Sequence, residues 1–357
     1  MSDKWKLALK NLVDFIDKHP EIEISENVIG IPAEFKPDFY KLFNLVRTTI
    51  IEEKMAAFIE HAKPLSRSFM KIEDEVLNKL ALNQITMDPG LSRFLHDPMD
   101  QLTRGLFYLL FDLLKGRLDN DKFERKAIDN VGLPFLHLYR LGYTKWIAIS
   151  LIRLLEADNL FKAVSRESGS SEGQGSKENG LSYEVITTVD ESRNIVFHHD
   201  QKVILLVPDV IFRSSINGKY ISVMSYYSPA SGRASDTSKK RKWYPLDSVA
   251  SLDTDLILIY IDDKPEELAL VADVDRICKP DMIVHSRERK GWFKAEGMQR
   301  IMPQHISLKP NLGSYIVSKE PSPEVKLDER EEGINVIYAG LDITRLQPIA
   351  DTIINRK

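Results

Sequence analysis

Cysteine is nearly absent: the 357 residues include one, Cys278. A single thiol excludes an internal disulfide framework and any zinc site built on cysteine pairs within one chain. Charge of one sign is also missing. Lys and Arg number 49 against 53 Asp and Glu, a formal net charge of −4, so contact with a polyanion requires local basic patches rather than a global field. Long hydrophobic runs are lacking as well. LFYLLFDLL at 106–114 contains Asp112 and falls far short of the roughly 20 apolar residues of a membrane span. The opening residues carry acids and no apolar stretch, unlike a secretory signal. No glycine-rich phosphate loop, GxGxxG, HExxH, GxSxG or repeat occurs. What is present, 43% hydrophobic and 29% charged residues, predicts a soluble, cytoplasmic protein of two ordinary domains with no membrane partner.

Helical periodicity fills the first half. Residues 4–17 place Trp5, Leu9, Leu12, Val13 and Ile16 on one stripe. A helix from Pro37 carries Phe39, Phe43, Val46, Ile50, Ile51, Met55 and Phe58 inward, closing at 61–64, and another covers 66–82. Asp88-Pro89 and Asp97-Pro98 are helix-start pairs, Asp as N-cap and Pro in the first turn. Residues 119–132 read as a further helix ended near Gly132. Residues 133–164 read as one nearly all-apolar helix, or two broken near Gly142, and are therefore buried. His19, His61, His96 and His137 share no metal-ligand spacing. The expected architecture is α+β: an all-α bundle over 1–164, a linker over the Ser/Gly/Glu-rich 165–180, and a mixed α/β domain over 181–357 with a β-hairpin and one βαβ unit.

In the second half the period becomes alternating. Strands are expected at 181–189 and 194–199, the second leading through His198, His199 and Asp200, the densest cluster of candidate ligands. The apolar run LILIYI at 256–261, a helix over 265–278 and MIVH at 282–285 form the expected βαβ unit. Asp262, Asp263 and Lys264 stand at the carboxyl end of its first strand, where ligands gather in open α/β sheets. The alternative is that Asp263 caps the helix and Lys264 faces solvent.

The hairpin lies in residues 202–228, KVILLVPDVIFRSSINGKYISVMSYYS, around Asn217-Gly218, the strongest two-residue turn signal. That register sets Asp209 opposite Tyr226, and a carboxylate among apolar residues must be paired, hydrogen-bonded or metal-bound. Pro208 removes a ladder donor, so the strand is bulged or an edge there.

Asp209 after Pro208 on the first strand of a hairpin resembles the first half of the PD-(D/E)XK pattern of the restriction-endonuclease-like superfamily. The resemblance implies metal-dependent phosphodiester cleavage, with Asp209 as ligand to Mg²⁺ or Mn²⁺ and a second acid and a lysine completing the site. The second strand, YISVMSYYS, has neither. Asp262-X-Lys264 has the missing spacing on another strand, so the catalytic candidates are Asp209, Asp262 and Lys264. Pro280-Asp281 with Glu288-X-Lys290 repeats the pattern too tightly for a hairpin. The alternative for Asp209 is a bulge carboxylate bonded to backbone amides or the Tyr226 hydroxyl.

Two basic-aromatic clusters, Lys239, Lys240, Arg241 and Lys242 with Trp243, and Arg287, Arg289 and Lys290 with Trp292, have the chemistry to neutralise phosphates and stack a base. Two expectations follow. One is a nuclease-like nucleic-acid-binding protein whose cleavage depends on a second acid reaching Asp209. The other is a non-enzymatic scaffold or accessory subunit whose helical domain takes a protein partner.

Overall fold

The computed structural model describes residues 3–25, 28–167, 185–197, 208–226, 256–269, 279–289, 292, 295–321 and 333–356. The chain is α+β, helical first and sheet-rich after. Its helical part holds α1 (Lys4–Lys18), β1 (Glu23–Ile24), β2 (Ile29–Gly30), α2 (Lys36–Lys54), α3 (Ala56–Lys79), β3 (Gln84–Thr86), α4 (Pro89–His96), α5 (Pro98–Arg104), α6 (Phe107–Leu114) and α7 (Asn120–Leu154). Then come β4 (Ala157–Glu167), β5 (Val185–Glu191), β6 (Asn194–Val196), β7 (Val210–Ser214), β8 (Tyr220–Tyr226), β9 (Leu256–Asp262), β10 (Met282–Arg287), α8 (Ala295–Leu308), β11 (Ser314–Ser318), β12 (Ile334–Tyr338) and α9 (Gln347–Ile354). None of the described helices is long and apolar enough to cross a membrane.

Two compact units result, Met1–Met70 with Pro89–Gly142, and Lys71–Asp88 with Tyr143–Lys357. The division therefore falls inside α3 and α7 rather than at 164. Ser165 to Glu167 belong to β4, and the rest of the expected linker lies outside the described residues.

In the first unit most of the expected stripes form the core: Trp5 and Leu12 of α1 and Phe39, Phe43, Val46, Ile50 and Ile51 of α2 are buried, whereas Val13 of α1 is exposed. Trp5 meets Phe123 at 5.5 Å and Phe43 meets Phe111 at 4.6 Å, ring centre to ring centre. Such side chains contribute roughly 1.5–3 kcal/mol each on burial. Asp97 caps α5 as its Asp-Pro pair predicts, accepting from Asp100 N at 3.0 Å. Three boundaries differ from the sequence pattern. The break after α2 falls at Met55, and Pro64 rides inside α3. The expected break at Gly132 does not occur, and of the two readings at Gly142 the unbroken helix holds, because these glycines make room for neighbours. A Cβ on Gly132 would lie 3.5 Å from the Phe58 ring, and one on Gly142 would lie 3.0 Å from Leu95 and 3.3 Å from Leu65. Finally, α7 stops at Leu154: Glu156 turns the chain at φ +51° and β4 follows.

The second unit is organised by an eight-stranded sheet in the order β12-β11-β10-β9-β8-β7-β4-β5, while β3 and β6 pair separately and in parallel. The order is antiparallel from β5 through β10, then parallel across β10, β11 and β12. The expected βαβ unit is thus displaced by one strand. Because β9 and β10 are antiparallel they form no such unit, and only one 3-10 turn, Glu266–Leu268, is described between them. The parallel crossover is β10-α8-β11. One sheet face packs Ile211, Met224, Leu256, Leu258, Tyr260, Ile283 and Leu308 together.

Candidate functional site

The β7-β8 hairpin forms, but its loop has four residues rather than two. Ser214 N donates to Lys219 O and Gly218 N to Ser214 O, both at 2.9 Å, with Gly218 at φ +73°. Asn217 Oδ1 accepts from Lys219 N at 3.1 Å, and its Nδ2 donates to Ile354 O. The longer loop moves the register by two residues: Arg213 pairs with Tyr220 rather than Ser222. An even shift preserves the face each side chain occupies, but it replaces Tyr226 as the expected neighbour of Asp209.

Asp209 stands immediately before β7 and is 6% exposed. Its N–H donates to Val223 O at 3.0 Å. Its Oδ2 accepts from Ser225 N at 2.7 Å and also from the Ser225 hydroxyl. That hydroxyl accepts in turn from the ammonium of Lys145, delivered by α7. Lys145 is buried, and its ammonium lies 4.6 Å from the centre of the Phe197 ring. Burial pushes its pKa below the usual lysine range, and the Asp209 carboxylate opposes that shift. Serine is suited to the middle position because one hydroxyl both donates and accepts.

This arrangement places a lysine and a serine near Asp209, where the resemblance asks for a lysine and an acid. Its polarity is that of a neutralised carboxylate. For Lys145 to activate Ser225 as a nucleophile it would have to accept the hydroxyl proton; here Lys145 donates and the proton is directed at Asp209. The donors around Oδ2, an amide and a hydroxyl backed by an ammonium, complement an anion rather than bind a divalent cation, whose ligands must be oxygen lone pairs.

The other sequence candidates lie elsewhere. Asp262 pairs with Tyr220, whereas Asp209 lies just beyond the Val210–Val223 pair. They are therefore more than three residues, about 10 Å, apart along the strands and about two strand spacings across the sheet. The structure does not bring them together. Asp262 Oδ1 accepts from Asp263 N at 2.7 Å. Asp263 does not cap the following turn; its carboxylate binds Lys219, whose hydrogen bond and charge hold the Asp263 pKa below the usual carboxylate value. Lys264 is exposed. Around Asp262, Lys219, Ile261, Asp263 and Arg356 line a small hollow of about 190 Å³. Among the described residues no group of three or more His, Cys, Asp and Glu side chains is placed to hold a metal ion.

Asp281, the acid of the second Pro-Asp pair, is treated like Asp209. It precedes β10, is wholly buried, and accepts from Ile261 N at 2.8 Å and Asn311 Nδ2 at 3.3 Å. Arg356 pairs with it at 3.0 Å while also donating to Ile261 O at 2.7 Å. Both Pro-Asp carboxylates thus join the start of one strand to a main-chain amide of a strand paired beside it.

Of the basic candidates, Arg287 is buried and donates to Ser286 O at 2.9 Å, so it does not face solvent as a phosphate ligand would. Arg289 is exposed and pairs with Glu288 at 3.1 Å. Trp292 is buried and donates to the Ser318 hydroxyl at 3.0 Å, which removes it as a stacking platform. Lys239, Lys240, Arg241, Lys242, Trp243 and Lys290 lie outside the described residues, as do His198, His199 and Asp200. Sequence reasoning missed Lys145 and Ser225. The available signal was Lys145 itself, a lone cation inside the apolar run YTKWIAISLI, since a buried lysine requires a partner.

Comparison with known proteins finds no match to any family model, any curated protein or any solved structure.

Proposed function

We propose that the chain acts by binding rather than by cleavage, as a scaffold or accessory subunit whose helical unit takes a protein partner and whose α/β unit serves as a platform. The observation that carries this reading is the closure of Asp209 by Ser225 N, the Ser225 hydroxyl and Lys145. A carboxylate used in this way holds strands and a helix together and is spent as a metal ligand. The displacement of Asp262 from it supports the same reading. For a protein partner, the helical unit exposes Tyr108 at 81% and Leu133 at 75%. Tyr108 packs edge-on against Phe107, over which the Arg47 guanidinium lies. Tyrosine and arginine are the residues that most often anchor protein interfaces.

A second reading, nucleic-acid binding without cleavage, is favoured by the four consecutive cations beside Trp243. One assay separates the three possibilities. The purified chain and its Asp209→Ala variant are incubated with supercoiled DNA and Mg²⁺ or Mn²⁺, and binding is followed as salt is raised. The scaffold reading expects neither nicking nor salt-sensitive binding. Binding whose affinity falls steeply with salt, without nicking, establishes the second reading. Divalent-dependent nicking abolished in Asp209→Ala overturns both.

A further inference from the structure

We propose that the docking of α8 onto β10 and β11 is an acid-sensitive latch governed by His285. The side chain of His285 is 1% exposed, and among the described residues its Nε2 has no hydrogen-bond partner. Its cross-strand neighbours are apolar, Leu256 on β9 and Ile316 on β11. Two residues back, Ile283 shares its face and packs with Leu308 of α8, which sets His285 beneath that helix. The charged and titratable groups acting on the ring are Arg287 from its own strand and His305 from α8; β9 and β11 supply none among the described residues. His305 is held in place by its Nδ1 contact with the Ser314 hydroxyl at 2.8 Å, and it lies against Gly333, where a Cβ would come within 3.4 Å of the ring.

A proton on His285 would therefore enter a closed apolar site already facing one cation and a second imidazole. Burial first, then Arg287 and His305, keep the docked ring neutral well below the ordinary imidazole range. When α8 lifts, water reaches the ring and its ordinary value, about 6.5, returns. The open form then binds a proton that the docked form refuses. The sign follows from linkage: a group whose proton affinity is lower when docked favours docking at high pH, and that contribution is lost as pH falls below about 6.5. The opening constant increases roughly tenfold per pH unit below that point, until the docked ring itself titrates. Between pH 5 and 7 the imidazole is the side chain whose ordinary value lies in range. Apart from His305, the other described histidines, His19, His61, His96 and His137, belong to the other unit, and the rings of His19, His61 and His96 each bond a backbone carbonyl one turn earlier.

The test is hydrogen exchange with mass spectrometry on the full chain at pH 7.5, 6.5 and 5.5, corrected for the intrinsic pH dependence of exchange. Amides of α8 and β11 are expected to lose protection about fivefold between pH 6.5 and 5.5, with β7 and β8 unchanged. His285→Leu should remove that pH dependence. Corrected protection in α8 that does not vary with pH, or a His285→Leu variant that retains the wild-type dependence, overturns the proposal. Should His285→Leu fail to fold, the ring is followed by NMR in the wild type. A His285 signal that stays neutral to pH 5.5 in the docked protein supports the latch, and one titrating near pH 6.5 without loss of protection refutes it.

Discussion

Removing the Asp209 carboxylate should cost the second unit much more than removing a surface charge. In Asp209→Ala the amide of Ser225 loses its acceptor, and the Lys145 ammonium is left enclosed without its counter-charge. Breaking a buried ion pair from one side typically costs about 3–5 kcal/mol. The charge part has a ceiling, because Lys145 can shed its proton. Doing so at pH 7 from an ordinary value near 10.4 costs about 4.6 kcal/mol, roughly 3.4 pH units at 1.36 kcal/mol each. A loss of about 3–4 kcal/mol is therefore expected, read from urea unfolding together with hydrogen exchange in β7 and β8. The double variant Asp209→Asn with Lys145→Met should recover at least half of it, since the stranded charge is gone. The pH dependence gives an independent check. Burial already lowers the Lys145 pKa, and loss of Asp209 removes the influence opposing that shift. In the single variant the unfolded chain then holds a proton that the folded chain lacks, so stability must rise from pH 7 towards pH 10, more steeply than in the wild type. A loss below about 1 kcal/mol, or single-variant effects that simply add in the double variant, would refute the interpretation of these residues as one coupled network.

Four further variants can be measured by the same methods. Arg356→Ala removes the guanidinium that pairs with buried Asp281; a loss of about 2–4 kcal/mol and faster proteolysis within α9 are expected. Gly132→Ala should stabilise the helical unit by up to about 1 kcal/mol, because a methyl meets the Phe58 ring at ordinary contact distance. Gly142→Ala, at 3.0 Å from Leu95, should gain less than Gly132→Ala in the same thermal melt. Gly313→Ala should lower the melting temperature sharply, since its φ is +80° and a Cβ would fall 2.5 Å from Gly333 O.

The parts of the fold governed by local rules were legible. The α1 and α2 stripes, the Asp97 cap, the hairpin around Asn217-Gly218 and the short helix from Gln347 all depend on spacing or on one residue's conformational preference. The parts decided by tertiary partners were not. Nothing local distinguishes Gly142 as a packing site from Gly142 as a helix breaker, because Leu65 and Leu95 make the difference. LILIYI and MIVH are both buried strands, but whether they run parallel depends on which strand inserts beside which. The site shows the same limit. Pro208-Asp209 correctly marked a buried acid, while its partner, Lys145, arrives from a helix 64 positions earlier (209 − 145) and could be matched to it only through Ser225.

The pairing of Asp281 with Arg356 also bears on biosynthesis. The guanidinium that neutralises this acid and caps Ile261 O is made 95 residues after that carbonyl. Translation runs from the N-terminus, so β9 and β10 emerge before the guanidinium that closes their junction and complete that closure only once Arg356 is available. A nascent or clipped chain lacking Arg356 would retain a weak point at the centre of the sheet, accessible to chaperones and proteases.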